Sequence, residues 1–89
     1  MNKYIVVGYW DGIGNTLQED GKMRWFFQHH AKIYINKQFA IMAAKRYNAR
    51  YYLTRVVVYA IKSDERFSCS DFKQWDKQEG RIAFEIRNH

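Results

Sequence analysis

The sequence predicts a small α+β domain with the order β-β-α-β-α-β. In it, a four-stranded, mostly antiparallel, twisted sheet carries one main helix and a short second helix on one face. Length is the first reason, because 89 residues suffice for one domain (1–89) with a single modest core. Composition is the second, since 47% of the residues are apolar and the chain is therefore globular rather than a disordered basic tail. The third is the succession of segments with two-residue and helical periodicity.

The first strand covers residues 3–10, which are rich in β-branched and aromatic side chains and end at an Asp-Gly pair. Residues 11–21 contain a second Asp-Gly pair and are predicted to form a long, mobile loop. The glycines at 12 and 14 weakly resemble a phosphate-binding loop. The third glycine or lysine and the following helix of that motif are missing, so a flexible hairpin loop is predicted instead.

In residues 22–35 the side-chain character alternates between odd and even positions over about thirteen residues, which is typical of a strand with one face in the core. Trp25 and Phe27 are then core residues, and the even-numbered side chains point away from the core. A strand of this length twists strongly or contains a bulge. A bulge near Gln28 would move Lys32 and Tyr34 to the other face.

A helix is predicted over residues 37–48, with Asn36 as its N-cap and no glycine or proline inside it. Its outward side chains are predicted to include Lys37, Gln38, Ile41 and Lys45. The core stripe at helical spacing consists of Phe39, Ala40, Ala43, Ala44 and Tyr47.

Residues 50–62 are predicted to form a central strand, because both of its faces are fairly apolar. Ser70 is a candidate cap for a short helix over 71–79, in which Phe72 and Trp75 are three residues apart and Gly80 follows the end. Residues 81–87 form the last strand. Its inward side chains are Ile82, Phe84 and Ile86.

The charge distribution predicts an anionic partner. Between residues 22 and 62 the sequence contains nine lysines and arginines and no aspartate or glutamate, and the formal net charge is +6. Such a surface suits DNA or RNA, or an acidic or host nucleoprotein surface, while a purely solubilising role for the charge stays open.

The predicted binding site is the open face of the sheet. Cations on this face would bind phosphates, and its aromatic rings would stack on unpaired bases. The same mixture of side chains could also contact an acidic protein. The site residues are Arg24, Phe26, Gln28, His30, Lys32 and Tyr34 from the second strand and Arg55 and Tyr59 from the third.

Neither catalysis nor a cofactor or metal ion is predicted. His29 and His30 are adjacent on a strand and point to opposite faces, so they cannot chelate one ion, and His29 is interpreted as a core residue. Cys69 is the only cysteine, which excludes an internal disulfide and a cysteine-cluster zinc site. The alternative is a small ribonuclease-type toxin that uses His30 as an acid or base, which would require a second converging group.

The setting is predicted to be cytoplasmic, because a lone cysteine suits a reducing compartment. The apolar run near the N-terminus is too short for a membrane helix or a signal peptide. Both a monomer and a homodimer stay open. Lys, Ile, Tyr, Phe and Asn make up 34 of the 89 residues, as expected from an AT-rich genome such as that of many phages. In size and layout, though in no motif, the chain resembles phage inhibitors of CRISPR effector complexes, which implies the blocking of a host defence complex.

Overall fold

The computed structural model describes residues 2–24, 30–62 and 65–88. It confirms the predicted class, an α+β domain with one antiparallel sheet, one main helix and a short second helix. Five strands form the sheet where four were predicted, in the order β3-β2-β1-β4-β5. The strands are β1 (Asn2–Trp10), β2 (Ile13–Leu17), β3 (Met23–Arg24), β4 (Arg55–Lys62) and β5 (Ile82–Arg87), and the helices are α1 (Lys37–Arg50) and α2 (Phe72–Trp75).

The prediction of a loop over residues 11–21 is wrong, because Ile13–Leu17 form strand β2, which pairs with β1 in a tight hairpin. Trp10 pairs with Ile13, so the connecting turn has only two residues. These residues, Asp11 and Gly12, have φ angles of 49° and 81°, and a type I′ turn needs a positive φ at both positions. Gly14 faces α2, where an added Cβ would lie 2.8 Å from the Phe72 ring. Close packing therefore explains this glycine, and a phosphate loop does not.

The predicted strand over residues 22–35 is not a single strand in the described part of the chain. Arg24 of β3 pairs with Thr16, whereas Ala31 and Tyr34 form isolated bridges with Gln18 and Tyr4. Ala31 therefore pairs with the residue that follows β2, whereas Tyr34, three residues later, pairs with β1. Residues 25–29 lie outside the described residues, and with them Phe26, Gln28 and His29.

Helix α1 begins as predicted and ends two residues later. The Asn36 side chain accepts hydrogen bonds from the backbone N–H groups of Gln38 and Phe39, at 2.8 and 3.4 Å. Phe39 itself was predicted to be buried but is exposed, because it is rotated by about 100° from Ala40 around the helix axis. The buried stripe consists of Ala40, Ala43, Ala44 and Tyr47.

The two helices cover opposite faces of the sheet, although they were predicted on one face. Even-numbered residues of β4, such as Val56 and Val58, pack under α1. Odd-numbered ones, such as Val57 and Tyr59, pack under α2. Successive side chains of a strand point to opposite faces, and both sets are apolar here, so each face requires a covering layer.

Helix α2 is shorter than the predicted 71–79 and follows a 3-10 turn, Cys69–Asp71. Ser68, rather than the predicted Ser70, begins this turn, and its backbone N–H donates to the Asp71 carboxylate at 2.8 Å. In β5, Ile82 faces α2, whereas Phe84 packs on the α1 side. The register of β5 against β4 shifts between Val58 and Tyr59, which explains this change of face.

Candidate functional site

The sheet face opposite α1, where Arg55 and Tyr59 were predicted to lie in the open, is covered by the segment around α2. The Tyr59 ring has no exposed surface. It stacks on Phe72 with ring centroids 5.4 Å apart, and it meets the Trp75 ring edge-on at the same distance. The predicted exposure of Tyr59 is therefore wrong, because aromatic side chains of the same chain occupy the surface proposed for a base.

Arg55 is on the predicted face but belongs to a partly buried polar network. Its guanidinium donates two hydrogen bonds to the Asp76 carboxylate, at 2.9 and 3.0 Å, and a third to Glu85. It also lies 5.0 Å from the centroid of the Tyr9 ring. The Tyr59 hydroxyl donates to Asp76 at 2.7 Å and shares a hydrogen bond with the Tyr9 hydroxyl at 2.5 Å. This network joins β1, β4, β5 and the end of α2.

The network shifts the pKa values of Tyr59 and Asp76 in opposite directions. Burial raises the pKa of Tyr59, and its hydrogen bonds to Tyr9 and Asp76 raise it further. Burial opposes ionisation of Asp76, but hydrogen bonds from Arg55 and Tyr59 outweigh it and lower the pKa of that carboxyl. Arg87 completes a second pair with Glu85 at 3.1 Å. Two arginines thus face two carboxylates, and the cluster offers no net charge to a phosphate.

We expect the free energy of unfolding to fall as the pH rises above about 10, the ordinary pKa of a tyrosine. In the unfolded chain Tyr9 and Tyr59 lose their protons there, whereas the folded phenols keep theirs because their pKa values are raised. The folded state then binds more protons, so each group lowers stability by up to about 1.4 kcal/mol per pH unit while its folded phenol stays protonated. Urea unfolding at several alkaline pH values measures this slope.

The control for that experiment is Tyr52→Phe, because the Tyr52 side chain is 99% exposed. We expect Tyr59→Phe to reduce the slope by one group's share and Tyr52→Phe to leave it unchanged. Equal slopes in the two variants would show that Tyr59 is not held protonated by the fold.

Arg24, the other arginine of the predicted site, is also paired, and so is Arg81 just before β5. Arg24 contacts Asp20 at 2.5 Å, and this hydrogen bond lowers the pKa of the Asp20 carboxyl. Arg81 donates to both carboxylate oxygens of Glu65, at 2.6 and 3.0 Å. The ion pairs of Arg24, Arg55, Arg81 and Arg87 all lie outside α1. Two of the basic residues that were predicted to form an anion site, Arg24 and Arg55, are therefore neutralised.

Helix α1 carries unpaired positive charge. This helix has no acidic residue, and none of its cations forms an ion pair with a carboxylate in the described ranges. Lys45 lies 5.8 Å from the centroid of the Phe84 ring, and the neighbouring Arg46 is exposed. The four cations of the helix are Lys37, Lys45, Arg46 and Arg50.

Three further predicted site residues that the structure describes, His30, Lys32 and Tyr34, lie on the α1 side or at the edge of the sheet. Tyr34 packs on the core layer under α1, where burial raises its pKa and Arg46 is close enough to oppose that shift. The Lys32 ammonium lies 5.4 Å from the centroid of the Tyr34 ring. His30 is exposed, and its carbonyl oxygen accepts a hydrogen bond from the Glu19 backbone at 3.0 Å. The predicted site is thus divided between two faces.

Large apolar side chains are exposed among the cations of α1. Ile35, Phe39 and Met42 are 70%, 61% and 56% exposed. Phe39, Met42 and Arg46 follow one another at helical spacing, so they share the outward side of the helix. We call this surface the α1 face and define it by Ile35, Lys37, Phe39, Met42, Lys45 and Arg46.

Protein-family models, curated proteins and solved structures were compared with the chain. None of them matches it. Its surfaces are therefore interpreted from their own chemistry. Across the ranges that the structure describes, no cluster of three His, Cys, Asp or Glu side chains is placed to hold a metal ion. The described helices include none with the length and apolarity needed to span a bilayer.

Proposed function

We propose that this protein is a non-catalytic binding protein that docks its α1 face on an acidic protein surface. The observation that carries the proposal is the coincidence, on one acid-free helix, of cations without carboxylate partners and exposed apolar side chains. By contrast, acidic groups compensate the arginine of the cluster around Arg55. The α1 face combines charge that attracts a partner with apolar area that can be buried against it.

The charge supports recognition of an acidic partner. Exposed, unpaired cations steer an oppositely charged surface into contact and reject basic ones, and they contribute more to the association rate than to final affinity. Lys45 and Arg46 are at the C-terminal end of the α1 face, and Lys37 is at its N-terminal end. Because these charges are exposed, their effect is screened by salt.

The apolar side chains favour a protein over a naked nucleic acid. Met, aromatic residues and Arg are enriched at the centres of protein interfaces. Ile35 and Met42 have no flat ring on which a base could stack, whereas both could enter an apolar pocket of a protein. An exposed patch of this kind on a small domain is typical of an interaction surface.

The type of partner that we propose is a host nucleoprotein complex, which a phage-type inhibitor would block by occupying an acidic surface of its protein component. The proposed setting is the cytoplasm, where the single cysteine remains reduced. Direct binding of DNA or RNA by the same cations is the competing function. A ribonuclease that uses His30 is the catalytic alternative.

The test is capture of partners from a host cell lysate by the immobilised protein, with and without nuclease treatment. We expect a discrete acidic protein to stay bound after nuclease digestion and to elute as the salt concentration rises. Loss of all bound material after digestion would contradict the protein partner and support nucleic-acid binding. RNA cleavage by the wild type that is absent in His30→Ala would support the catalytic alternative.

A further inference from the structure

A second surface feature lies apart from the α1 face, at the other end of the helix. It is a groove of about 540 Å³ between the last turn of α1 and the connection from β2 to β3. This volume is within the range of small-molecule sites. Its lining includes Trp10, Asp20, Lys22, Tyr47, Arg50 and Tyr51.

Aromatic rings form one wall of the groove. Tyr47 and Tyr51 are nearly parallel, with an interplanar angle of 5° and centroids 5.9 Å apart. Trp10 is perpendicular to Tyr51 at 5.8 Å. The Tyr47 hydroxyl donates to the Gly21 carbonyl at 2.9 Å, which fixes the wall to the opposite side of the groove. Trp10 and Tyr51 are only half-buried, so part of their ring surface is accessible from the groove.

The groove carries net positive charge. The Arg50 guanidinium lies 5.7 Å from the Tyr51 centroid and forms no ion pair with any described carboxylate, so its N–H groups are available to an anion. Lys22 is exposed. Asp20 also lines the groove, but Arg24 balances its charge at 2.5 Å. Arg50 is in the last turn of α1, where it offsets the partial negative charge of the helix C-terminus.

We infer that this groove binds a nucleotide, with the base against Trp10 and Tyr51 and the phosphate on Arg50 and Lys22. An aromatic wall beside two cations matches a ligand that joins a flat ring to an anionic group, and base stacking on such rings tolerates any sequence. The ligand is either a free nucleotide or one unit of a single strand. This inference does not depend on the α1 face, and a nucleoprotein partner could engage both surfaces.

The test is titration of the 89-residue chain with adenosine monophosphate, adenosine, inorganic phosphate and a four-nucleotide single strand, followed by nuclear magnetic resonance. We expect adenosine monophosphate to bind roughly tenfold more tightly than adenosine or phosphate, because only it uses both parts of the groove. Arg50→Gln and Tyr51→Leu should each weaken it roughly tenfold. The matched control is Arg46→Gln, one turn earlier and outside the groove, which should change the affinity less than about twofold.

Several outcomes would overturn the inference. One is that adenosine monophosphate binds no better than phosphate, and another is that Arg46→Gln weakens binding as much as Arg50→Gln. If the protein binds the single strand but not adenosine monophosphate, and Arg50→Gln and Tyr51→Leu abolish that binding, the ligand is a nucleotide within a strand. If the two variants still bind the strand, the proposed site is overturned. Lys45→Glu with Arg46→Glu removes charge from the α1 face and should leave the resonances of the Trp10 indole responsive to the nucleotide. Failure of the docking proposal and failure of this one are therefore distinguishable.

Discussion

Arg55→Met is expected to destabilise the folded protein by about 3 kcal/mol, because it removes the shared partner of two partly buried carboxylates. Methionine preserves most of the bulk of the side chain but leaves Asp76 and Glu85 without the guanidinium that now binds both. For a domain of this size, such a loss corresponds to a decrease in Tm of roughly 12–24 °C. Thermal unfolding followed by circular dichroism measures it.

The control is Arg46→Met, the same substitution at an exposed arginine of α1. We expect this variant to stay within about 0.5 kcal/mol of the wild type, as surface substitutions usually do. If both variants had the same Tm, Arg55 would be an ordinary surface charge, as the sequence-based prediction of an open sheet face implied. A larger decrease for Arg55→Met alone would show that the network around it is structural.

The largest expected effect on binding comes from Lys45→Glu combined with Arg46→Glu. Reversal of both charges turns attraction to an acidic partner into repulsion, and we expect the affinity to fall by roughly 100-fold or more. The Tm should change by only a few degrees, because both side chains are exposed and unpaired charges of this kind contribute about 0–1 kcal/mol to stability. Equilibrium binding to the captured partner at constant ionic strength measures the loss.

The matched control is Lys73→Glu combined with Lys77→Glu. Both lysines are exposed near α2, on the opposite side of the sheet, and the control lowers the net charge by the same amount. We expect it to retain most of the affinity. Equal loss in both variants would mean that the partner senses only total charge, and the α1 face would then have no specific role.

The elements that the sequence predicted correctly are those with strong local signals. Asn36 and the alanine stripe locate α1 because capping and helical spacing act within a few residues. Strand β1 was recognisable from continuous β-branched and aromatic side chains, and so was the 55–62 part of the strand predicted over 50–62, although residue 50 belongs to α1. These preferences need no knowledge of distant parts of the chain.

Strand β2 could not be recognised because tertiary contacts stabilise it. Its sequence, Ile-Gly-Asn-Thr-Leu, has no apolar alternation. Asn15 is buried and donates to the backbone carbonyls of Ile13 and Gly8, at 3.0 and 3.4 Å. The contact between Gly14 and Phe72 could not be predicted from the sequence either. Strand preference depends on such surroundings more than helix preference does.

The candidate site was predicted only in part, for a related reason. The alternation of side chains along the strand correctly placed Arg55 and Tyr59 opposite α1, but no local sequence signal revealed that residues 67–76 cover that face. The Asp76 carboxylate is 21 residues from Arg55, a separation that no spacing rule connects. The sequence does contain one signal for the α1 face. The helix over 37–50 has four cations and no acid, which indicates an exposed, unbalanced surface.

The most direct test of the proposed docking places a photo-crosslinking amino acid at Met42 in one protein and at Lys73 in another. After irradiation in nuclease-treated host lysate, the protein labelled at position 42 should form one covalent complex with an acidic protein, and the protein labelled at 73 should form none. Excess wild-type protein should suppress this complex, whereas excess Lys45→Glu, Arg46→Glu protein should not. Equal crosslinking from both positions, or a complex that forms only while nucleic acid remains, would contradict docking through the α1 face.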